Sequence, residues 1–185
     1  MKILEKVKLH FEDKKYCKVK RQVGEESFVT NDGFIVDYSD DFIVLKEVDD
    51  FVVRGYLIFQ TKTITEIRRN KSDIFFEKIY KLEGITETIE NMYKIDLTNW
   101  QTIFKSIKDL GFNVIVKNEN PEEDTFDIGP ITKITKSNVY VQYFDATGLL
   151  DSESTKISWD QITVVNFDDI YINVLSKYLK EPKKS

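Results

Sequence analysis

A run beginning at Gly33, Gly-Phe-Ile-Val-Asp-Tyr-Ser-Asp-Asp-Phe-Ile-Val-Leu, is echoed 96 positions later by Gly129-Pro-Ile-Thr-Lys-Ile-Thr-Lys-Ser-Asn-Val-Tyr-Val. A second correspondence, Ile64-Thr-Glu-Ile67 with Ile162-Thr-Val-Val165, stands at an offset of 98. Each is followed by an acidic start and an aliphatic-aromatic run, Ser72 to Leu82 and Asp168 to Leu179. Correspondences in the same order at nearly constant spacing predict two copies of one unit, and that restricts the fold to a supersecondary unit that about ninety residues can build twice. The units are placed at residues 1–85 and 96–185, with 84–97 as the linker. That segment has no Gly/Ser- or Pro-rich stretch, so the units are expected to pack together.

Each copy reads as short strands closed by a helix. Val7, Leu9 and Phe11 alternate with Lys6, Lys8 and His10, and Cys17 and Val19 alternate with Lys18 and Lys20, which predicts an N-terminal hairpin turning at 12–15. Asn31-Asp-Gly33 is a tight-turn signal. Strands then follow at 34–38, 42–48, 51–59 and 63–67. A helix capped by Ser72 and stopped by Gly84 places Ile74, Phe75, Ile79 and Leu82 on one apolar side. The second copy opens with a helix instead, signalled by the capping box Thr98-Asn-Trp-Gln101 and the stripe Trp100, Ile103, Phe104, Ile107, Leu110. Strands are expected at 112–116, 131–135, 139–144, 156–158 and 162–166, then a helix from 168 or 169 that buries Tyr171, Val174, Leu175, Tyr178 and Leu179. With 13 Phe, 9 Tyr and Ala146 as the single alanine, side-chain chemistry pushes the chain toward sheet. The fold class expected is mainly β with helices (α+β).

The chemistry-bearing residues are few. His10 is the only imidazole and falls among lysines on the polar side of its predicted strand, an exposed bystander in that reading. Cys17, the only cysteine, alternates inward with Val19 and reads as a small hydrophobe. Carboxylates crowd Asp37 to Asp50, Glu122 to Asp127 and Asp145 to Glu153, without the loop spacing of a calcium site, and read as turn formers. Glycines never cluster as a phosphate loop needs. The expectation is a non-catalytic protein with no metal and no cofactor. No apolar run approaches the length of a membrane span, and the charged Met1-Lys-Ile-Leu-Glu-Lys-Val-Lys start is unlike a signal peptide, so a cytoplasmic location is expected.

Charge is distributed unevenly. Residues 1–22 carry +5 and 171–185 carry +3, whereas 23–60 and 121–170 carry −7 each, within an overall −5. Acidic units oppose a polyanion and suit a basic protein surface. Asp40, Asp41, Asp49, Asp50, Arg54, Tyr56 and Trp159 are the residues expected to bind such a partner, the aromatics as anchors together with Tyr38. Nucleic acid is the second ligand class, through Lys6, Lys8, Lys18 and Lys20 sharing one face of the hairpin, with Tyr16 and Arg21 adding stacking.

A Gly-led strand, a bent strand and an aliphatic-Arg-Gly element, Val52-Val-Arg54-Gly55-Tyr-Leu57, resemble the Sm-like small barrel, with that element standing at its second motif. The second copy, from Gly129-Pro130-Ile131 to Trp159-Asp-Gln-Ile-Thr163, is similar to the SH3-like barrels of ribosome-maturation and PRC-type families. The whole resembles uncharacterised bacterial proteins built from tandem Sm-like/SH3-like barrels, each with a flanking helix. The Asp and Asn with which Sm proteins hold a uridine are not matched, since Phe42 and Ile43 follow Asp40 and Asp41. The resemblance implies a binding module, either an immunity-type or an assembly and regulatory protein.

Overall fold

Five strands carry the first half: β1 (Tyr16–Gln22), β2 (Phe28–Tyr38), β3 (Phe42–Asp49), β4 (Val52–Gln60) and β5 (Ile64–Arg68). All pair antiparallel, with β1 between β5 and β2 and with β3 between β2 and β4. The computed structural model describes residues 2–90 and 92–182. The predicted N-terminal hairpin is replaced by a helix, α1 (Ile3–Glu12), and the hairpin partner of β1 is β2. Ile3, Val7, His10 and Phe11 recur at helical spacing as well as over a short period of two, and Val7 packs against Cys17 and Val19, so burial decides in favour of the helix.

The first half closes with α2 (Lys71–Leu82), and the second half follows with α3 (Trp100–Asp109), β6 (Val114–Asn118), β7 (Thr125–Gly129), β8 (Ile131–Ile134), β9 (Asn138–Val141), β10 (Thr155–Ser158), β11 (Val164–Phe167) and α4 (Ile170–Leu175). The architecture is α+β: one eight-stranded sheet in the order β5-β1-β2-β3-β4-β11-β6-β7 and a three-stranded sheet β10-β9-β8. Neither sheet closes into a barrel among the described residues. The joint between the sheets is Gly129-Pro130, where the chain leaves β7 for β8. A Cβ on Gly129 would stand 1.9 Å from the carbonyl oxygen of Gln142, and one on Gly33 would stand 2.2 Å from that of Lys46. In both halves, therefore, a glycine admits the carbonyl of the residue thirteen positions on, and the two glycines are the pair that opens the 96-residue correspondence.

The halves join edge to edge. β4 pairs with β11 through Val165 with Ile58, Asn166 with Leu57 and Phe167 with Tyr56. Gly55 makes room for this contact, because a Cβ there would lie 2.6 Å from the Cα of Asp169. The segment expected as linker is packed in: Ile89, Ile95 and Leu97 are buried, and the Tyr56 hydroxyl donates to the Glu90 carbonyl at 2.9 Å. Arg21 is fully buried and spans both halves. Its Nε donates to Asn31 Oδ1 at 2.9 Å, one terminal nitrogen to the Thr163 carbonyl at 3.2 Å and the other to Glu119 Oε2 at 2.7 Å. The guanidinium also lies 4.7 Å from the Phe59 ring centroid.

Both closing helices pack only part of the face that their periodicity suggests. Of the predicted stripes Ile79 of α2 and Leu175 and Leu179 in and after α4 are half-buried, whereas Ile74, Phe75, Leu82, Tyr171, Val174 and Tyr178 are exposed; the buried residues are Asp73 and Tyr80 of α2 and Ile172 of α4. The α2 cap is Asn70, whose side chain accepts from the Ser72 and Asp73 amides, two residues ahead of the expected cap Ser72. Each helix is short and docks by one or two large residues, which override the broader stripe.

His10 is buried on α1, contrary to its expected exposure. Its Nδ1 contacts the Lys6 carbonyl at 2.7 Å, while Nε2 is buried without a partner among the described residues. Burial, with Arg69 and Lys15 nearby, holds its pKa below the ordinary 6.5. A proton is then bound more tightly by the unfolded chain, so this group's contribution to stability is present above pH 6.5 and is lost as pH falls toward the folded pKa. In urea denaturation at pH 7 and pH 5.5, the His10→Gln variant should lose less stability than the wild type over that step. Truncating Arg21 leaves the half-buried Glu119 without its cation and the Asn31 and Thr163 acceptors without a donor, so Arg21→Ala should cost about 3 kcal/mol, against under about 1 kcal/mol for the surface pair variant Lys8→Ala.

Candidate functional site

The seam between the halves opens on one side into a groove of about 610 Å³. β2 contributes Thr30 and Asp32, and the β3–β4 hairpin contributes Glu47, Val48, Asp49 and Arg54. From the other half come Ile115 and Lys117 of β6, Phe126 of β7, Asn166 of β11, and Asp169 and Tyr171 at the start of α4. The hairpin turn is formed by Asp50 with φ 52°, and Arg54 reaches back across it to Asp49 at 2.8 Å.

Four carboxylates and two cations line the groove. Asp32 is held by Lys18 and by the Tyr16 hydroxyl, which donates to it at 3.1 Å. Asp169 caps α4 by accepting from the Tyr171 amide at 2.8 Å. Glu47 carries no hydrogen bond or ion pair among the described residues. Burial first, and the neighbouring Asp169 carboxylate second, push its pKa above the ordinary 4.5, while Lys117 opposes the shift. Asn166 is buried, and its Oδ1 lacks a partner among the described residues. Phe126 and Tyr171 stand exposed at the rim. Beneath the hairpin Lys46 is nearly buried, with Nζ 3.7 Å from the Tyr56 ring centroid, and desolvation lowers its pKa against the pull of Asp168 and Asp169. A groove with surplus carboxylates and exposed rings on its rim is chemically suited to a cationic side chain with an apolar stem.

The residues expected to bind a partner are dispersed. Asp49 and Arg54 line the groove and Asp50 forms the turn beside it. Asp40 and Asp41 sit in the exposed β2–β3 turn at the far end of β3. Asp41 and Trp159 share a second cavity, of about 490 Å³, with Lys62, Lys136 and Trp100. Trp159 is half-buried, donating through Nε1 to the Lys136 carbonyl at 2.9 Å. Tyr56 is no surface anchor: it is fully buried and stacks on Phe167 with centroids 5.0 Å apart. Tyr38 is half-buried against Phe11.

The basic face expected of the hairpin is not assembled. Lys6 and Lys8 belong to α1, where Lys8 meets Glu12 at 3.7 Å, and α1 packs on the side of β1 that carries Cys17 and Val19. Lys18 and Lys20 alternate to the opposite side, Lys18 bound to Asp32 and Lys20 over the Phe28 ring at 4.4 Å. Tyr16 and Arg21, expected to stack on bases, are both buried.

Glu47, Asn166, Asp169 and Lys117 were not singled out from sequence. Lys46-Glu47 within Phe42–Val48 and Asn166 within Val164–Phe167 interrupt strands that are otherwise apolar, and that interruption is the signal they left. Comparison with known protein families, curated proteins and solved structures returns no match, so the site is read from its own geometry.

Proposed function

We propose that the protein is a non-catalytic protein-binding module, of immunity or assembly and regulatory type, whose groove at the seam receives a basic segment of its partner. The observation that carries this reading is Glu47, a carboxylate whose side chain has no ion pair among the described residues and stands in the groove beside Asp169, with its pKa raised. A Lys or Arg side chain entering there supplies the missing charge, and Phe126 and Tyr171 offer rings for its stem or for a neighbouring aromatic residue.

The reading of each half as an Sm-like/SH3-like small barrel belongs with this proposal. Strands β5-β1-β2-β3-β4 have their counterpart in β11-β6-β7 continued by β8-β9-β10, and a 3-10 turn precedes β5 and β11 alike. The glycine-to-carbonyl contacts of Gly33 and Gly129 support the same equivalence.

Fluorescence anisotropy of a labelled Lys- and Arg-containing peptide tests the binding claim. Binding should tighten as pH rises from 4.5 toward 7, because ionised Glu47 is the form that attracts a cation, and Glu47→Gln should weaken it by about tenfold, or ~1.4 kcal/mol. An acidic peptide and an RNA oligonucleotide of equal length serve as controls. Equal affinity for all three, or indifference to Glu47→Gln, rejects the proposal.

A further inference from the structure

The apolar stripes on both closing helices face outward, and they are equivalent. Ile74, Phe75 and Leu82 of α2, and Ile170, Tyr171, Val174 and Tyr178 in and just after α4, are 42–74% exposed. At the 96-residue offset Ile74 meets Ile170, Phe75 meets Tyr171 and Leu82 meets Tyr178. Single exposed hydrophobes are ordinary; the same face left bare on both copies of a unit marks a contact surface.

The two faces differ in charge. Lys78 stands on α2 where α4 has Val174, and Lys71 opens the same stripe. Both lysines are exposed and have no ion pair among the described residues. The α4 face instead borders the acidic groove, since Tyr171 and Asp169 line it beside Glu47 and Asp49. One face is thus apolar with cations, and the other is apolar with carboxylates at its edge.

We infer that α2 docks on the α4 face of a second copy of this chain, with Lys71 and Lys78 directed to the groove and Phe75 and Leu82 laid over Tyr171, Val174 and Tyr178. Each copy has one helix to give and one groove to receive, and in this inference the two copies exchange the contact reciprocally about a two-fold axis, which closes the assembly as a dimer rather than a chain. This rests on the reading of the groove as a site for a basic segment, and it names α2 as that segment.

Sedimentation velocity from about 1 to about 100 μM, the range over which modest interfaces dissociate, tests it on the full chain. The wild type should pass from monomer to dimer. Phe75→Asp and Tyr171→Asp each replace an exposed side chain, which circular dichroism verifies as harmless to the fold, and each should raise the dissociation constant by at least about tenfold. An equimolar mixture of the two variants should recover association, because one copy keeps its α4 face and the other its α2. Lys78→Glu should weaken the dimer most at low salt. A wild type that stays monomeric, a dimer lost with Phe75→Asp but untouched by Tyr171→Asp, or a mixture that does not recover overturns the inference. A monomer that still binds the basic peptide through Glu47 leaves the groove reading standing, so the two failures are distinguishable.

Discussion

Arg21 is a full positive charge with no exposed surface, in a chain whose net charge is −5. Such a charge persists in the interior only where acceptors surround it, and its acceptors come from both halves: Asn31 from β2, Glu119 after β6 and Thr163 before β11. Thr163 ties the set together, its hydroxyl donating to Glu119 at 2.9 Å and accepting from the Glu119 amide at 3.0 Å. A buried ion pair adds little net stability over a well-packed apolar substitute, but a misaligned one is costly, so this network selects one register between the halves more than it strengthens the contact. The β4–β11 pairing and the close approach of Asp169 to Gly55 depend on that register.

The groove is a consequence of the same seam. Once β4 and β11 are neighbours, the β3–β4 hairpin of one half overhangs β6, β7 and α4 of the other, and the acidic stretches of the two halves meet there. Burial first and the neighbouring carboxylates of Asp169 and Asp49 after it raise the pKa of Glu47, against the pull of Lys117 and Arg54. Under the proposed function a bound cation offsets that cost, the acidic surface speeds a salt-sensitive encounter, and the aromatic rim supplies the lasting contact.

Much of the strand content was legible because β-branched and aromatic residues alternate over short spans; β3, β5 and β10 fall within a residue or so of the positions read from pattern. The inward Cys17 and the stops at Gly84 and Gly111, both with positive φ, were legible for equally local reasons. The failures share a cause. α1 reads as a strand because the six residues 6–11 alternate while Ile3, Val7 and Phe11 also fit a helix, and the packing of Val7 with Cys17 and Val19 chooses between them. β7 was missed since its apolar residues follow a run of acids, and its pairing with β6 is a non-local fact. Both closing helices pack only part of their expected stripe, Ile79 in one and Leu175 and Leu179 in the other, because Tyr80 and Ile172 set the buried side and leave the remaining apolar residues outside. The groove was half legible: Asp49 and Arg54 sit on a turn that sequence marks, whereas Glu47, Asn166 and Asp169 acquire meaning only when the two edges meet.

A seam of this kind should make the two halves one cooperative unit, and the chain carries natural probes for it. Of the two tryptophans Trp159, against Phe104, reports the second half and Trp100, against Phe42 of β3, reports its contact with the first, while Cys17, the only cysteine and fully buried, reports the first half through its reactivity toward a thiol reagent. Urea unfolding followed by tryptophan fluorescence and by Cys17 labelling should give coincident midpoints and slopes in the wild type. Two separated transitions, with Cys17 exposed while the tryptophan signal is still native or the reverse, would contradict it.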